Sequence, residues 1–150
     1  MAELERAPQV MVVDDDPDTV AILSHYLRRE GFEAIEANSG PECLRLAREK
    51  PVDVILLDLM MPEMDGFEVC RQLKGDQQTA EIPVIMITAR DDMDARAEGI
   101  RLGVSDFLAK PVFRRQLANR IRAQLELAAT ARATEATLEF LERRGKNGPS

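Results

Sequence analysis

Short apolar runs alternate with amphipathic stretches along this chain. Runs rich in Val, Ile, Leu and Met predict five strands, near residues 9–14, 33–37, 52–57, 82–87 and 104–108. Because these runs are continuous rather than alternating, they suit strands buried on both faces of a parallel sheet. Between them, apolar residues repeat at helical spacing, which gives each helix one face to lay on the sheet. The pattern predicts a doubly wound α/β fold, a five-stranded parallel sheet with the flavodoxin-like order 2-1-3-4-5.

Start and stop signals support the helices between these strands. Asp16 and Pro17 have the character of an N-cap and a first helical position, and Gly31 is typical of a helix end. Ser39 and Glu42 have the spacing of a capping box. We therefore expect helices to begin near residues 17 and 40.

The last helical pattern continues well beyond the needs of one domain, from about Val112 to about Arg144. It contains a seam with spacings of four and three, formed by Leu127, Ala131, Thr134, Leu138 and Leu141. The seam predicts a helical linker or a weak dimerisation element, with a solvated, frayed helix as the alternative. The expected organisation is a flexible N-terminus (1–7), one domain (8–126), an extended C-terminal helix (127–144) and a disordered tail (145–150).

Composition limits the classes of function. The 150 residues are 45% hydrophobic and 31% charged, which suits one well-packed core. Twenty Lys and Arg against 27 Asp and Glu leave a formal net charge of -7, which argues against a nucleic-acid or anionic-membrane surface. The charged N-terminus and the lack of a long apolar run predict a soluble, cytoplasmic protein. Cys43 and Cys70 stand among apolar residues, so we expect core packing rather than a disulfide or metal pair.

Acidic residues end two of the predicted strands. Asp14, Asp15 and Asp16 follow the first strand, and Asp58 ends the third. If these strands are neighbours, their carboxylates meet at one sheet edge, where like charges about 4 Å apart cost about 4 kcal/mol at a moderate dielectric. Hard oxygen ligands in such a cluster predict Mg2+. A helix N-cap with a solvated turn is the alternative, and it explains Asp16 but not the adjacent carboxylates.

Four motifs, each at a predicted strand end, together resemble the receiver domain of two-component response regulators. They are Val12 to Asp16, Asp58 with Met61 to Gly66, Thr88-Ala89, and Lys110-Pro111. The resemblance covers about residues 8–126. It implies a signalling domain that accepts a phosphoryl group from a partner histidine kinase or phosphotransfer protein and then switches its partner or dimer surface.

The resemblance also implies roles for individual acidic residues. Asp58 is expected to be the phosphoacceptor, since carboxylates act as covalent nucleophiles. Asp15, Asp58 and the backbone carbonyl of Met60 are expected to bind Mg2+, and Asp14 to act through a bound water. Most of the catalysis is then positioning and electrostatics.

Donors for the phosphoryl oxygens are implied on the neighbouring strand ends. Lys110 is expected to supply its ammonium, Thr88 its hydroxyl and Ala89 its backbone amide. In the family the bond equivalent to Lys110-Pro111 is usually cis, and we expect the same here. These donors have more to bind once the acceptor is phosphorylated, and such a difference in affinity moves a conformational equilibrium.

A switch surface follows from the same resemblance. Phe107 matches an aromatic position whose rotation accompanies activation, although burial in the core is the simpler explanation for such a residue. The moving parts are expected to be the helix near 91–102, the strand near 104–108 and the helix after Pro111. The sequence does not specify the oligomeric state; the candidate surfaces for a homodimer are the 91–121 surface and the C-terminal helix.

Two variable positions bear on the lifetime of the phosphoryl group. Met60 lies two residues after the acceptor and Arg90 two after the threonine. Neither carries a carboxylate or amide to orient an attacking water. The resemblance therefore implies slower self-dephosphorylation than in a receiver that carries such a residue.

Three other functions fit parts of the pattern. A magnesium-dependent hydrolase that forms an aspartyl phosphate needs an acid at position 60, where this chain has Met60. A flavodoxin-like cofactor binder needs a phosphate-binding loop after the first strand, where Asp14 to Asp16 repel phosphate. A receiver-like adaptor without phosphorylation remains the third alternative. The chain is not expected to act as an enzyme on other molecules.

Overall fold

The fold is a single five-stranded parallel sheet with helices on both faces. The computed structural model describes residues 6–89 and 92–147. The elements are β1 (Gln9–Val13), α1 (Pro17–Arg29), β2 (Glu33–Ala37), α2 (Gly40–Glu49), β3 (Val54–Asp58), α3 (Gly66–Lys74), β4 (Val84–Thr88), α4 (Met93–Arg101), β5 (Asp106–Ala109) and α5 (Arg114–Asn147). The strand order is β2-β1-β3-β4-β5, and all neighbouring strands are parallel. The predicted fold class and strand order are confirmed.

Two apolar clusters lie on opposite faces of the sheet. Alternate residues of each strand contribute to different clusters: Val10 and Val12 pack with α1 and α5, whereas Met11 and Val13 pack with α2 and α3. Strands β3 and β4 are buried along their whole length. Their continuous apolar runs are thus explained by a central position in the sheet. Cys43 and Cys70 are buried free thiols, as predicted.

Three strands begin two residues later than their apolar runs predicted. β3, β4 and β5 start at Val54, Val84 and Asp106 rather than near 52, 82 and 104. At the first of these, the carboxylate of Asp53 accepts the backbone N–H of Gln9 at 2.7 Å, so a side chain replaces the next ladder bond. The apolar residues ahead of the strands still cover the core from the loops.

Side chains cap the helices where the sequence indicated. Asp16 accepts the backbone N–H of Asp18 at the start of α1. At α2, the hydroxyl of Ser39 accepts the N–H of Glu42 at 3.3 Å. The returning bond of this capping box runs from the N–H of Asn38 to the Glu42 carboxylate, one residue earlier than in the standard motif.

Helix α5 is 34 residues long and leaves the domain. Leu117, Ala118 and Ile121 are buried against the sheet, and side chains from 129 to 145 are exposed. The helix continues to Asn147, three residues beyond the predicted end at about Arg144, and so includes residues 145–147 of the predicted tail. Two features explain why the helix can continue past Arg144. Arg143 and Arg144 carry positive charges that are favourable near the end of a helix, and Gly145 costs only about 1 kcal/mol in a helix. Residues 1–5 and 148–150, predicted to be flexible, lie outside the described residues.

Ion pairs fix the base of α5 on two sides. Glu30, just after α1, lies 3.1 Å from Arg114 Nε and 3.0 Å from Arg122 Nη2. On the other side, Arg120 Nη1 lies 2.7 Å and 2.8 Å from the two carboxylate oxygens of Asp106. The helix is therefore tied to both α1 and β5. Within the described part of the chain, no helix combines the length and the apolar character needed to cross a bilayer.

Candidate functional site

Three carboxylates converge at the carboxyl edge of the sheet. β1 and β3 are adjacent strands, with Asp14 and Asp15 following β1 and Asp58 ending β3. One oxygen from each carboxylate lies within 4.8 Å of the other two. Asp14 and Asp58 are buried, at 3% and 6% exposure, whereas Asp15 is exposed. The convergence of these strand ends is as the sequence predicted.

Local backbone contacts hold two of these carboxylates. Asp14 Oδ1 accepts the N–H of Asp16 at 2.9 Å, and Asp58 Oδ1 accepts the N–H of Met60 at 3.3 Å. The loop after β3 then folds back onto the strand end, and the N–H of Gly66 donates to the carbonyl of Leu59 at 2.8 Å. Each carboxylate thus takes a backbone donor from the loop that follows its own strand.

Gly66 lets this loop approach the strand closely. A Cβ at this position would stand 2.7 Å from the carbonyl oxygen of Asp58 and 2.8 Å from Leu59 Cα. Any larger residue would push the loop away from the acidic cluster. The sequence interpretation placed Gly66 in the loop motif but missed this packing role, which its position directly after the N-cap Asp65 would have suggested.

Lys110 places a cation at this edge. Its Nζ lies 3.2 Å from Asp14 Oδ2 and 3.6 Å from Asp58 Oδ1. The backbone places it there, because the N–H of Lys110 donates to the carbonyl of Thr88 at 3.0 Å and the bond to Pro111 is cis, as expected. Burial acts to lower the pKa of Lys110, but the carboxylates of Asp58 and Asp14 outweigh it and raise that pKa.

The charge balance of the cluster is unfavourable for ionised carboxylates. Burial, with a smaller contribution from the neighbouring Asp14, raises the pKa of Asp58 to about 6, although Lys110 acts to lower it. With all groups charged, three carboxylates and one ammonium leave a formal charge of −2. A clustered set of hard oxygen ligands with this deficit suits a divalent cation such as Mg2+.

The other predicted site residues lie at the same edge or close to it. Thr88 is buried at the end of β4, and Ala89 follows it with an exposed side chain. Met60 is 59% exposed beside the cluster. Arg90 lies outside the described residues. Thr88, Ala89 and Met60 thus lie where the resemblance requires them to be. Their roles remain predictions.

Phe107 is packed inward between β5 and α4. Its side chain is buried, and the guanidinium of Arg96 lies 5.5 Å from the ring centroid. Gly99 of α4 lies directly against the ring, so that a Cβ there would stand 2.6 Å from Phe107 Cζ. The aromatic side chain therefore occupies a core position in this structure, and its rotation on activation remains a prediction.

An apolar groove beside the acidic cluster was not anticipated from the sequence. It has a volume of about 490 Å³ and is lined in part by Ile22, Tyr26, Pro111 and Val112, with Lys110 at its border. Ile22 is exposed on α1 although it is large and apolar. The sequence did contain one signal for this groove, because Ile22 is a large apolar residue on the polar side of an amphipathic helix.

Comparison with known proteins agrees with this architecture. Residues 10–122 match the family model described as the response regulator receiver domain. Response regulator PleD of Caulobacter vibrioides is 45% identical over 115 residues, which are 77% of this chain and 25% of PleD. The alkaline phosphatase synthesis transcriptional regulatory protein PhoP of Bacillus subtilis is 37% identical over 123 residues, 82% of this chain and 50% of PhoP. The chain thus spans a quarter to a half of the length of these relatives.

Solved structures give the same result. The chemotaxis protein CheY4 of Vibrio cholerae has a TM-score of 0.77 at 30% identity, covering 80% of this chain and 100% of CheY4. A putative response regulator from Chloroflexus aurantiacus has a TM-score of 0.75 at 34% identity, covering 81% of this chain and 99% of that one. By its family model, its relatives and its fold, the chain belongs to the response regulator receiver domains of two-component signalling.

Proposed function

We propose that Asp58 is the phosphoacceptor of this signalling domain. Membership of the receiver family supports phosphorylation-dependent signalling. The observation that carries the assignment to Asp58 is the convergence of Asp14, Asp15, Asp58 and Lys110 at one edge of the sheet. Asp58 ends the central strand β3, between Asp14 and Asp15 after β1 on one side and Thr88 at the end of β4 on the other.

The reaction is a nucleophilic displacement at phosphorus. A carboxylate oxygen of Asp58 forms the new O–P bond while the P–N bond of a phosphohistidine on the donor breaks. The bonding electrons return to the histidine nitrogen, which later takes a proton from water. The carboxylate must be ionised to attack, and because the pKa of Asp58 is about 6, most of it is ionised above neutral pH.

Asp15 and Asp58 would hold Mg2+, with the backbone carbonyl of Met60 as a further ligand and Asp14 acting through a bound water. When bound, Mg2+ offsets the negative charge of the transferring group. Asp14 has a second role in the proposal, because its carboxylate positions the ammonium of Lys110 at 3.2 Å. After transfer, that ammonium contacts the phosphoryl oxygens, together with the Thr88 hydroxyl and the Ala89 amide on the adjacent strand.

The donor is proposed to be a histidine kinase or a histidine-containing phosphotransfer protein. It must approach the carboxyl edge, and the groove lined by Ile22, Tyr26 and Val112 borders Lys110 there. An apolar helix face on the donor fits this groove. Ile22→Asp should then slow transfer from a phosphorylated histidine kinase but not from acetyl phosphate, whereas Ala21→Asp, on an exposed part of the same helix, should change neither rate.

The direct test is the intact mass of the protein after exposure to acetyl phosphate, with rapid acid quenching. We expect a gain of one phosphoryl group in wild type that requires Mg2+ and is lost in Asp58→Ala. Asp53→Asn is the matched control, because Asp53 lies at the opposite end of β3 and should leave the gain unchanged. An adduct that persists in Asp58→Ala, or no adduct in folded wild type, would overturn the assignment.

A further inference from the structure

The free part of α5 carries a line of large apolar side chains. Leu127, Leu138 and Leu141 are 62%, 55% and 56% exposed. With Ala131 and Thr134, which are also exposed, they repeat at spacings of four and three along one side of a continuous helix. Such a seam is complementary to a copy of itself in a coiled coil.

We propose that residues 127–144 form a parallel, in-register coiled coil with a second copy of this chain. The proposal goes beyond phosphoryl acceptance, because the seam lies on the extension and does not involve the acidic cluster. Of the two dimer surfaces that the sequence indicated, it selects the C-terminal helix.

The seam is free to receive a second helix because every side chain from 129 to 145 is exposed. At its near end the domain still covers Gln124, one heptad before Ala131, and Ile121, which is fully buried. Leu127 follows Ile121 by six residues, and at about 100° per residue the two side chains are separated by about 120° around the helix. A second helix laid along the seam therefore stands beside the domain rather than in its place.

Charges flanking the seam are compatible with the parallel arrangement. In a parallel pair, the flanking residue directly before Ala131 or Leu138 faces the residue five positions later on the other helix. Thr130 then faces Glu135 of the second copy, and Thr137 faces Glu142 of the second copy. A hydroxyl beside a carboxylate introduces no like-charge contact in either pair.

The antiparallel arrangement is less favourable. The register that pairs Ala131 with Leu141 and Thr134 with Leu138 leaves Leu127 opposite Gly145, outside the seam. It also brings Glu135 next to Glu135 of the second copy, and like charges in direct contact destabilise a pair of helices. The flanking charges thus favour the parallel orientation.

Sedimentation equilibrium of the full chain tests the interface. The seam covers only about two heptads, so we expect a dimer whose fraction rises with concentration rather than a permanent one. The Leu138→Glu, Leu141→Glu double variant should weaken dimerisation by more than about tenfold in dissociation constant. Ala136→Glu adds one such charge on the opposite side of the helix and should leave the dimer intact. A monomeric wild type, an unaffected double variant or an equally disrupted Ala136→Glu would each overturn the proposal.

Chemical cross-linking tests the orientation. Leu141→Cys alone should cross-link with a short bismaleimide, because a parallel pair places both copies of position 141 together. The wild-type cysteines, Cys43 and Cys70, are buried and provide the background. Cross-linking only in a mixture of Ala131→Cys with Leu141→Cys would identify an antiparallel pair and contradict the proposed orientation.

Discussion

Replacing Asp58 with Asn should make the folded protein more stable when no metal is present. Burial and the neighbouring Asp14 raise the pKa of Asp58 from 3.8 to about 6. Each pKa unit is worth about 1.4 kcal/mol, so keeping this carboxylate ionised at neutral pH costs the folded state about 3 kcal/mol. Asn has nearly the same size and retains an oxygen to accept the N–H of Met60. We expect the free energy of unfolding of Asp58→Asn to exceed that of wild type by about 2 kcal/mol. The gain is smaller than the full cost of the ionised carboxylate because the surrounding polar groups are less well matched to an amide.

The gain should depend on pH in a defined direction. Because the pKa of Asp58 is higher in the folded than in the unfolded protein, the folded state binds the proton more tightly. Its contribution to stability is therefore full below a pH of about 4, falls as the pH rises to about 6, and stays lost above that. Asp58→Asn has no ionisable group at this position and therefore does not lose this stability as the pH rises. The difference between variant and wild type should grow from near zero at low pH to its full value at neutral pH.

Urea unfolding followed by circular dichroism in EDTA, at pH values of about 4 and about 7.5, measures this difference. Asp76→Asn is the control: the backbone N–H of Gln78, with help from Arg48, lowers the pKa of Asp76, so its neutralisation should destabilise the protein. Adding Mg2+ should stabilise wild type more than Asp58→Asn. An Asp58→Asn protein that is no more stable than wild type at neutral pH, or a difference independent of pH, would refute the reasoning.

Three further predictions concern other parts of the molecule. Gly99→Ala should lower the free energy of unfolding in urea by about 1 to 3 kcal/mol, because its methyl group would collide with the Phe107 ring. Thr79→Val removes a buried hydroxyl that donates to the carbonyl of Leu73 at 2.7 Å, and should cost about 1 to 2 kcal/mol, seen as a lower melting temperature. Met60→Asn should shorten the half-life of the phosphorylated protein, followed as loss of the mass adduct, because an amide can orient water where the thioether cannot; an unchanged half-life would contradict this.

The order of elements could be predicted because buried strands and amphipathic helices have different apolar periods. Strand starts could not, because apolar side chains continue into the loops. Val52 and Ile82 lie outside the sheet ladder and still pack against the core. Apolar residues are buried both in the strands and in the loops that precede them, so the sequence does not distinguish the two. The first hydrogen bond of a strand depends instead on contacts with residues distant in the sequence.

The acidic convergence could also be predicted, since the carboxyl ends of parallel strands share one edge. The finer geometry could not. Lys110 lies closer to Asp14 than to Asp58, although β3 and β4 separate β5 from β1, so this distance depends on how the long lysine side chain crosses the sheet edge. The inward packing of Phe107 against Gly99 likewise depends on where α4 rests on the sheet, which no local pattern specifies.

The two sets of ion pairs at the base of α5 couple the orientation of this long helix to the domain. Glu30 holds it from one side and Asp106 from the other. From residue 126 to 147 the helix extends about 33 Å at about 1.5 Å per residue. A tilt of about 10° at the base therefore moves the far end by about 6 Å, while a rotation at the base turns the far end by the same angle. A small tilt within the domain would therefore produce a larger displacement at the far end of the continuous helix. A rotation about the helix axis would reach the far end without any increase in angle.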